Sequence, residues 1–385
     1  MISRTMTVQK NDKRATGGKT MQSRFLARVT CRGAGHLARG RRLVVAALAL
    51  GAATMAQAAL TTTAEQQKTL QAMKGYNVKF CIFDPVGNNG PAVSNARDYL
   101  LEARKWGINA EIKAYVDERV AAEDLKAGQC DGVAITTLRA KQFNHFVGSL
   151  DSVGAVPDSA HMRAALAALA DPKMAPLMVT GQYEVAGIIP LGSLYVMVRD
   201  RAINSIEKAA GKKVAVLEWD KSQAKMVQRL GAQPVASDIT NFAGKFNNGQ
   251  VDIVAAPAVA FKPLELYRGV GDKGAVYRFP MAMLSASLII RRDRFPPDVG
   301  QKLREFVYTQ IDRAFEYVAR EEKGIDAKYW MDLTPADKAK YIDMMREARI
   351  SMTREGDYDA RMMKLLKRVR CKINPGLAEC TLNDE

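Results

Sequence analysis

The sequence predicts an α/β protein of two doubly wound lobes, which are joined by extended crossover strands and followed by a helical C-terminal part. Three observations predict this fold. An internal repeat shows the same five-element order twice, an extended apolar segment follows each copy, and the C-terminal residues carry helical periodicity. The length of 385 residues allows two lobes at roughly 100 to 200 residues for each.

The repeat is most visible in the phrase G-Q-x-D-x-V-A, which occurs at residues 128–134 and again at residues 249–255. In both copies an apolar run, a helical stretch, a second extended run and a second helical stretch precede the strand that contains the phrase. Glycines stand at the expected helix ends, at Gly107, Gly128, Gly231 and Gly249. Each copy therefore predicts the order strand, helix, strand, helix, strand.

Two extended apolar segments, residues 187–198 and 283–290, are long enough to cross between lobes. We predict that the chain enters the second lobe near Pro190 and returns near Ser285. The C-terminal part shows an apolar stripe at a period of 3.6 residues, so we expect helices that pack back on the first lobe. The predicted division is a signal segment at 1–58, first lobe at 59–190, second lobe at 191–284 and the return crossover with C-terminal helices at 285–385.

The N-terminal segment has the composition of a secretory signal with a basic extension. Residues 1–58 hold eleven Lys/Arg against the single acid Asp12, and they account for most of the formal net charge of +16. Arg41 and Arg42 precede an apolar run at 43–55, which is shorter than the roughly 20 residues that span a membrane. Small residues follow, and we predict cleavage after Ala58 and a periplasmic protein. Nucleic acid is not an expected partner.

Export would leave four cysteines in an oxidising compartment, which predicts disulfides. They are Cys81, Cys130, Cys371 and Cys380. Three pairings are possible, and the sequence alone does not choose among them. The shortest loop closure favours Cys371 with Cys380, which leaves Cys81 with Cys130.

Enzyme, metal and cofactor patterns are missing from the sequence, so we expect no catalytic residue, no metal and no cofactor. No G-x-S-x-G or C-x-x-C motif occurs, and His145 and His161 are far from a metal-ligand spacing. The glycine-rich stretch at residues 87–91 lacks the Lys-Ser/Thr ending of a phosphate-binding loop.

In two facing α/β lobes, the carboxyl ends of the strands line one cleft, and we expect a ligand there. Trp219 is flanked by acids and suits stacking on a solute, or alternatively packing between the lobes. Arg139 suits an anionic group, and Ser285 suits a hydrogen bond at the cleft floor or a bond to its own backbone. The candidate ligand contacts are Asp84, Asn89, Thr136, Thr137, Arg139, Glu218, Trp219, Asp220, Pro257 and Ser285.

Residues 75–320 resemble the solute-binding subunits of TRAP-type (DctP-like) transporters, most clearly at 210–216, 230–235 and 248–252. The resemblance implies a bilobed periplasmic-binding-protein fold, a small polar solute and delivery to membrane permease subunits. It also implies hinge closure of the two lobes around the solute.

Shorter phrases are similar to a group of solute-binding proteins labelled AdeT-like or RND-type efflux component. These phrases lie at residues 83–87, 128–132 and 143–151. The resemblance to this group leaves a second function open, that of an accessory or partner-binding component of an efflux or envelope complex without solute delivery. A solute-binding protein requires a polar, water-filled cleft, whereas a partner-binding protein can have its cleft filled by bulky side chains.

One departure from the TRAP pattern concerns the second lobe. The family places an arginine in a K-I-R-like phrase that clamps a substrate carboxylate, whereas this chain has Lys213, Val214 and Ala215 there. The resemblance therefore does not carry a carboxylate ligand over to this chain.

Overall fold

The structure, a computed structural model, describes residues 77–105 and 109–385. The predicted signal segment and its cleavage after Ala58 lie outside the described residues, and so do Trp106 and Gly107, where the first helix of the repeat was expected to end. Within the described ranges, no helix combines the length and the apolar character needed to cross a membrane.

In the described ranges, ten strands form one mixed sheet with the order β2-β1-β3-β9-β5-β8-β6-β7, while β4 pairs with β5 and β10 with β9. The strands are β1 Asn77–Phe83, β2 Asn109–Tyr115, β3 Gly132–Thr136, β4 Val179–Thr180, β5 Tyr183–Val198, β6 Lys213–Leu217, β7 Gln233–Ser237, β8 Ile253–Pro257, β9 Ala275–Arg291 and β10 Trp330–Met331.

Helices cover the sheet and connect its strands. Those that the structure describes are α1 Pro91–Lys105, α2 Glu118–Lys126, α3 Thr137–Ala140, α4 Ser159–Ala170, α5 Ile206–Ala209, α6 Lys221–Arg229, α7 Phe242–Asn247, α8 Ala258–Phe261, α9 Leu266–Val270, α10 Val299–Thr309, α11 Ile311–Lys323, α12 Pro335–Arg354 and α13 Ala360–Ile373.

The five-element order predicted for both copies of the repeat is confirmed. In the first lobe β1 pairs in parallel with β2 and β3, and in the second lobe β6 pairs in parallel with β7 and β8. Helices α1 and α2 connect the first set, and α6 and α7 connect the second. Each lobe is therefore a small doubly wound unit.

The repeated phrase has the same structural role in each lobe. The carboxylate of Asp131 accepts a hydrogen bond from the backbone N–H of Lys79 at 2.8 Å, and that of Asp252 accepts one from Lys213 at 2.9 Å. Each aspartate thus fixes the amino-terminal part of the first strand of its lobe. Because the amino ends of parallel strands lie opposite their carboxyl ends, the two aspartates stabilise the fold away from the cleft, whereas the last residues of each phrase extend to the cavity wall.

Strands β5 and β9 are the crossovers between the lobes. They run antiparallel along their length, and Pro190 pairs with Ser285, the two positions at which the sequence placed the crossings. The pairing shifts register next to Pro190, where Gly192 has a φ of +97°. A Cβ at Gly192 would lie 2.5 Å from Cγ1 of Val318, so glycine allows α11 to pack closely on the crossover.

The C-terminal helices contact both lobes, which differs from the expected packing on the first lobe alone. Helices α10 and α13 contact α4 of the first lobe, whereas α11 contacts α8 and α12 contacts α5 in the second. The reason is that the apolar side of α11 packs on β5, a strand that itself extends through both lobes.

The structure joins Cys81 to Cys130 and Cys371 to Cys380, with Cα–Cα distances of 6.0 Å and 5.6 Å. These are the pairs that loop closure favours. The first disulfide lies in the first-lobe core and links β1 to Cys130, two residues before β3. The second links the end of α13 to the C-terminal segment.

Candidate functional site

A cavity of about 700 Å³ lies between the two lobes. The carboxyl ends of β1 and β3 line it from the first lobe, and those of β6 and β8 line it from the second. Residues 189–191 and 284–286 of the crossovers and one side of α11 complete the wall. The cleft is thus where the strand ends predicted it, and it is not filled by bulky side chains.

Most of the side chains that line the cavity are apolar, whereas the sequence led us to expect a polar cleft. Examples from the two lobes and the crossovers are Ile82, Ile189, Leu191, Val216, Leu284 and Ala256. Parallel strands that are covered on both faces carry nearly continuous apolar runs, and here those runs continue to the strand ends. Ala215, at the position of the clamping arginine in the TRAP pattern, also lines this wall.

Asp84 lines the cavity, and its carboxylate also positions the loop after β1. Its side chain is fully buried, and its carboxylate accepts hydrogen bonds from the backbone N–H groups of Val86, Ala92 and Val93 at 2.7 to 3.2 Å. The carboxylate therefore holds the loop after β1 against the first turn of α1. Asn89 lies in the same loop, but its side chain is exposed and forms no part of the cavity wall.

Thr136 and Arg139 are both held by a buried carboxylate that the sequence did not single out. Glu118 accepts hydrogen bonds from the backbone N–H and the hydroxyl of Thr136, at 3.1 and 2.7 Å, and its carboxylate lies 3.4 Å from Nε of Arg139. Burial raises the pKa of Glu118, and the hydrogen bonds from Thr136 and the charge of Arg139 oppose that rise. Of these three residues, Thr136 lines the cavity.

Arg139 and Trp219 contact each other instead of lining the cavity. The Arg139 guanidinium carbon lies 4.1 Å from the centroid of the Trp219 ring, and Arg139 is in the first lobe while Trp219 follows β6 in the second. The indole Nε1 of Trp219 is buried and has no hydrogen-bond partner in the described part of the chain. Of the two acids beside Trp219, Glu218 is exposed and off the wall, whereas Asp220 lines the cavity and caps α6 through the N–H of Ser222.

Ser285 belongs to a buried chain of polar side chains at the crossover. Its backbone N–H and its hydroxyl both lie within hydrogen-bond distance of the Asp151 carboxylate, at 2.8 and 2.7 Å. Its hydroxyl oxygen is also 2.8 Å from that of Thr137, which in turn lies 2.7 Å from the hydroxyl of Ser287. Thr137 is therefore buried behind the cavity wall, while Ser285 and Asp151 line it.

Asp151 is a site residue that the sequence did not identify. Burial raises its pKa to about 7, although the hydrogen bonds from Ser285 partly oppose this rise. Asp151 and Ser285 are 134 residues apart, and no local pattern marks the aspartate as buried. Pro257, at the end of β8, lines the cavity from the second lobe.

The described residues contain one close group of metal-ligating side chains, Cys81, Asp124 and Cys130. Both cysteines are joined in a disulfide, so their sulfurs are not thiolate ligands. This group therefore does not suit a metal ion.

Residues 101–385 match the protein family described as "Solute-binding protein AdeT 1/2". The curated "Probable solute-binding protein AdeT1" of Acinetobacter baumannii is 52% identical over 304 residues, which are 79% of this chain and 100% of that relative. These names describe solute binding, and neither of them supports the efflux part of the label suggested by the sequence.

Two solved structures of TRAP periplasmic solute binding proteins share the fold. The one from Desulfovibrio salexigens, with bound orotic acid, has a TM-score of 0.64 and 15% identity, and the match covers 77% of this chain and 99% of that chain. The one from Ralstonia eutropha H16, with bound (S)-2-acetolactate, has a TM-score of 0.63 and 14% identity, and the match covers 76% and 99% of the two chains. At these identities the likeness shows the bilobed fold and no more.

Proposed function

The chain belongs to the AdeT 1/2 family of solute-binding proteins, and on that premise we propose that it captures a small solute with polar groups between its two lobes. The observation that supports this proposal best is the cavity of about 700 Å³ at the facing strand ends. A volume of this size is typical of small-molecule sites, and clefts between domains are a common place for them. The solutes named for the two similar structures, both organic acids, are consistent with a small ligand.

The predicted contacts divide into four groups by their place around the cavity. Thr136, Asp220, Pro257 and Ser285 line the wall, and we propose them as ligand contacts. Asp84 also lines the wall, but its carboxylate is bound by backbone N–H groups, and Thr137 supports the wall from behind. Asn89 and Glu218 are exposed outside the cavity. Arg139 and Trp219 contact each other across the lobes, so we assign them to closure. The crossovers near Pro190 and Ser285 serve as the hinge.

The cellular setting follows from the N-terminal sequence. We propose that the chain is exported, that the signal is cleaved after Ala58, and that the protein delivers its solute to TRAP-type permease subunits in the membrane. The role is one of binding and not of catalysis. Mass measurement of protein recovered from the periplasm tests the export step, because the account expects a first residue of Ala59. A mass that retains residues 1–58 would contradict it.

Thermal-shift measurement tests the binding step. A compound that binds only the folded state raises the midpoint of unfolding in a concentration-dependent way. We propose a panel of organic acids, amino acids, polyamines and neutral apolar compounds on the periplasmic protein, with Pro257→Trp as a variant that narrows the cleft. We expect one class of compound to raise the unfolding midpoint, and we expect a smaller rise in Pro257→Trp. Flat curves from well-folded protein across the panel would favour the partner-binding function.

A further inference from the structure

We propose that the bound solute has a large apolar body and that the cavity holds it without an ion pair to a buried cation. This inference rests on the proposed function, because it names the class of solute that the same cavity takes. The first argument is the composition of the wall, in which apolar side chains from both lobes and from both crossovers face the same space. Such a wall stabilises a ligand through the apolar surface that the ligand removes from water.

The three aspartates on the wall already have hydrogen-bond donors from the protein. Asp84 accepts three backbone N–H groups, Asp220 accepts the N–H of Ser222, and Asp151 accepts both the N–H and the hydroxyl of Ser285. Asp84 is also fully buried behind these donors, and Asp151 is buried. In the deep part of the cavity, the carboxylates that could pair with a cationic solute are therefore already bound by groups of the protein.

The basic side chains on the wall are engaged as well. Lys141 lies over the ring of Tyr358 at 5.2 Å, and burial lowers the pKa of its amine, an effect that the charges of Asp220 and Asp357 oppose. Such a lowered pKa indicates a site in which a full positive charge is costly.

The other two basic side chains on the wall belong to α11. Arg313 forms an ion pair with Asp98. Arg320 lies over the ring of Tyr317 at 5.2 Å, and its side chain is 70% exposed. Among the described wall residues, no buried guanidinium therefore faces the cavity in position to clamp a carboxylate.

The apolar wall and the lack of free charged partners on it together exclude a small, highly charged solute from the deep part of the cavity. A carboxylate placed among apolar side chains without a paired cation carries a desolvation cost that nothing on the wall offsets. The rim beside α11 is different, because Glu316 and Arg320 are exposed there. We infer an amphipathic solute, with its apolar body between the strand ends and its polar group towards this rim.

Two homologous series of ligands test the inference. Straight-chain alcohols and carboxylates from butyl to decyl length are titrated into the periplasmic protein by calorimetry below their micelle concentrations, with succinate as a short diacid. The expected result is a dissociation constant that falls about fourfold for each added methylene in both series, until the cavity is full. Carboxylates are expected to show no advantage over alcohols of equal length.

A matched pair of variants places the binding in this cavity. Ala215→Phe adds a ring to the wall, whereas Ala236→Phe adds the same ring to an exposed position of the neighbouring strand β7. We expect Ala215→Phe to move the best chain length downward and Ala236→Phe to leave it unchanged. Circular dichroism and the unfolding midpoint confirm that both variants are folded.

The outcomes separate this inference from the function on which it rests. Tight binding of succinate or of the shortest carboxylates, with no gain along the series, would overturn the apolar body while leaving solute capture intact. Chain-length dependence that Ala215→Phe does not alter would also overturn it, because the ligand would then bind elsewhere. Folded protein that binds no compound of any class would contradict the proposed function itself.

Discussion

The guanidinium carbon of Arg139 lies 4.1 Å from the centre of the Trp219 ring, and the two residues belong to different lobes. Each residue is positioned within its own lobe. Arg139 pairs with the buried Glu118, and Trp219 directly precedes Asp220, the N-cap of α6. The contact therefore joins the lobes outside the cavity through a cation–π interaction, which in the proposed mechanism would favour the closed arrangement of the lobes.

Replacement of Trp219 should weaken closure without removing a wall residue. A cation–π contact of this kind contributes about 1 kcal/mol, so Trp219→Ala should raise the dissociation constant of a bound solute about fivefold, mainly through a faster off-rate. Stopped-flow measurement of solute release tests this effect. Trp219→Phe keeps an aromatic face and should recover most of the affinity.

Arg163→Ala is the matched control for the Trp219 variants, because Arg163 lies 4.6 Å from the Phe315 ring, away from the cavity wall. We expect this control to leave the release rate unchanged. An equal change in release in Arg163→Ala and Trp219→Ala would show that the interlobe contact has no special role.

The buried carboxyl of Asp151 should make stability depend on pH. Its folded-state pKa is raised to about 7, above the ordinary value, so the native state keeps a proton that the unfolded chain releases between about pH 4 and about pH 7. This group's contribution to the free energy of unfolding is therefore full at low pH and falls by up to about 1.4 kcal/mol per pH unit across that window.

Asp151→Asn removes the titrating carboxyl and replaces it with an amide of similar size. Urea unfolding at a series of pH values should show that the native protein loses stability relative to this variant as the pH rises from about 4 to about 7, with no further relative change above it. A stability difference that is constant over the whole range would contradict a raised pKa. Ser285→Ala removes one of the two donors and should raise the pKa further.

A buried ion-pair cluster holds the C-terminal segment on α13. Arg370 is 2% exposed, its guanidinium bonds both carboxylate oxygens of Glu379 at 2.6 and 2.9 Å, and it also reaches Glu385 at 2.9 Å. Arg370→Met would leave both buried acids with Arg349 as their one remaining cationic partner in the cluster, with an expected loss of about 3 kcal/mol in the free energy of unfolding. The exposed Arg368→Met should cost less than about 0.5 kcal/mol in the same urea titration.

Acid should release the same cluster. Burial alone would raise the pKa of Glu379, but its hydrogen bonds with Arg370 and the nearby charges lower it to about 2. Because this folded-state pKa is depressed, the stabilisation is present above the ordinary glutamate pKa and is lost as the pH falls from about 4.5 towards about 2. The Arg370→Met variant should lose most of this acid dependence and keep the smaller part that the charge of Arg349 supplies, and a variant that retained it in full would contradict the assignment.

The two disulfides should differ in their contribution to stability. Cys81–Cys130 closes a loop with a sequence separation of 49, and Cys371–Cys380 one of 9. The loop-closure relation gives about 4 kcal/mol for the first and about 3 kcal/mol for the second. Urea unfolding of the paired Cys→Ala variants tests this order, and a larger loss from the C-terminal pair would contradict it.

The sequence predicted those parts of the fold that local periodicity encodes. The repeated units and the crossing near Pro190 and Ser285 could be recognised because apolar runs, glycines and helical stripes recur along the chain. The position of the cleft followed from strand direction alone. The contacts of the C-terminal helices with both lobes could not be predicted, because an apolar helix face shows that the helix packs but not on which lobe.

The candidate site was less predictable because its contacts join residues far apart in sequence. Asp151 meets Ser285 across 134 residues, and the carboxylate of Asp84 turns towards backbone N–H groups that only the folded loop presents. The polar residues of the strand ends were chosen for their chemistry, yet several already have partners within the protein. The other side chains on the wall are mostly apolar, and the identity of a single apolar residue does not show whether it faces a cavity or the packed core.

Backbone hydrogen exchange, measured with and without the compound that gives the largest thermal shift, tests most directly whether the cleft captures a solute. Solute capture in the cleft should add protection at the carboxyl ends of β1, β3, β6 and β8 and at the crossovers near Pro190 and Ser285. Protection confined to an outer surface of either lobe, with these strand ends unchanged, would contradict it.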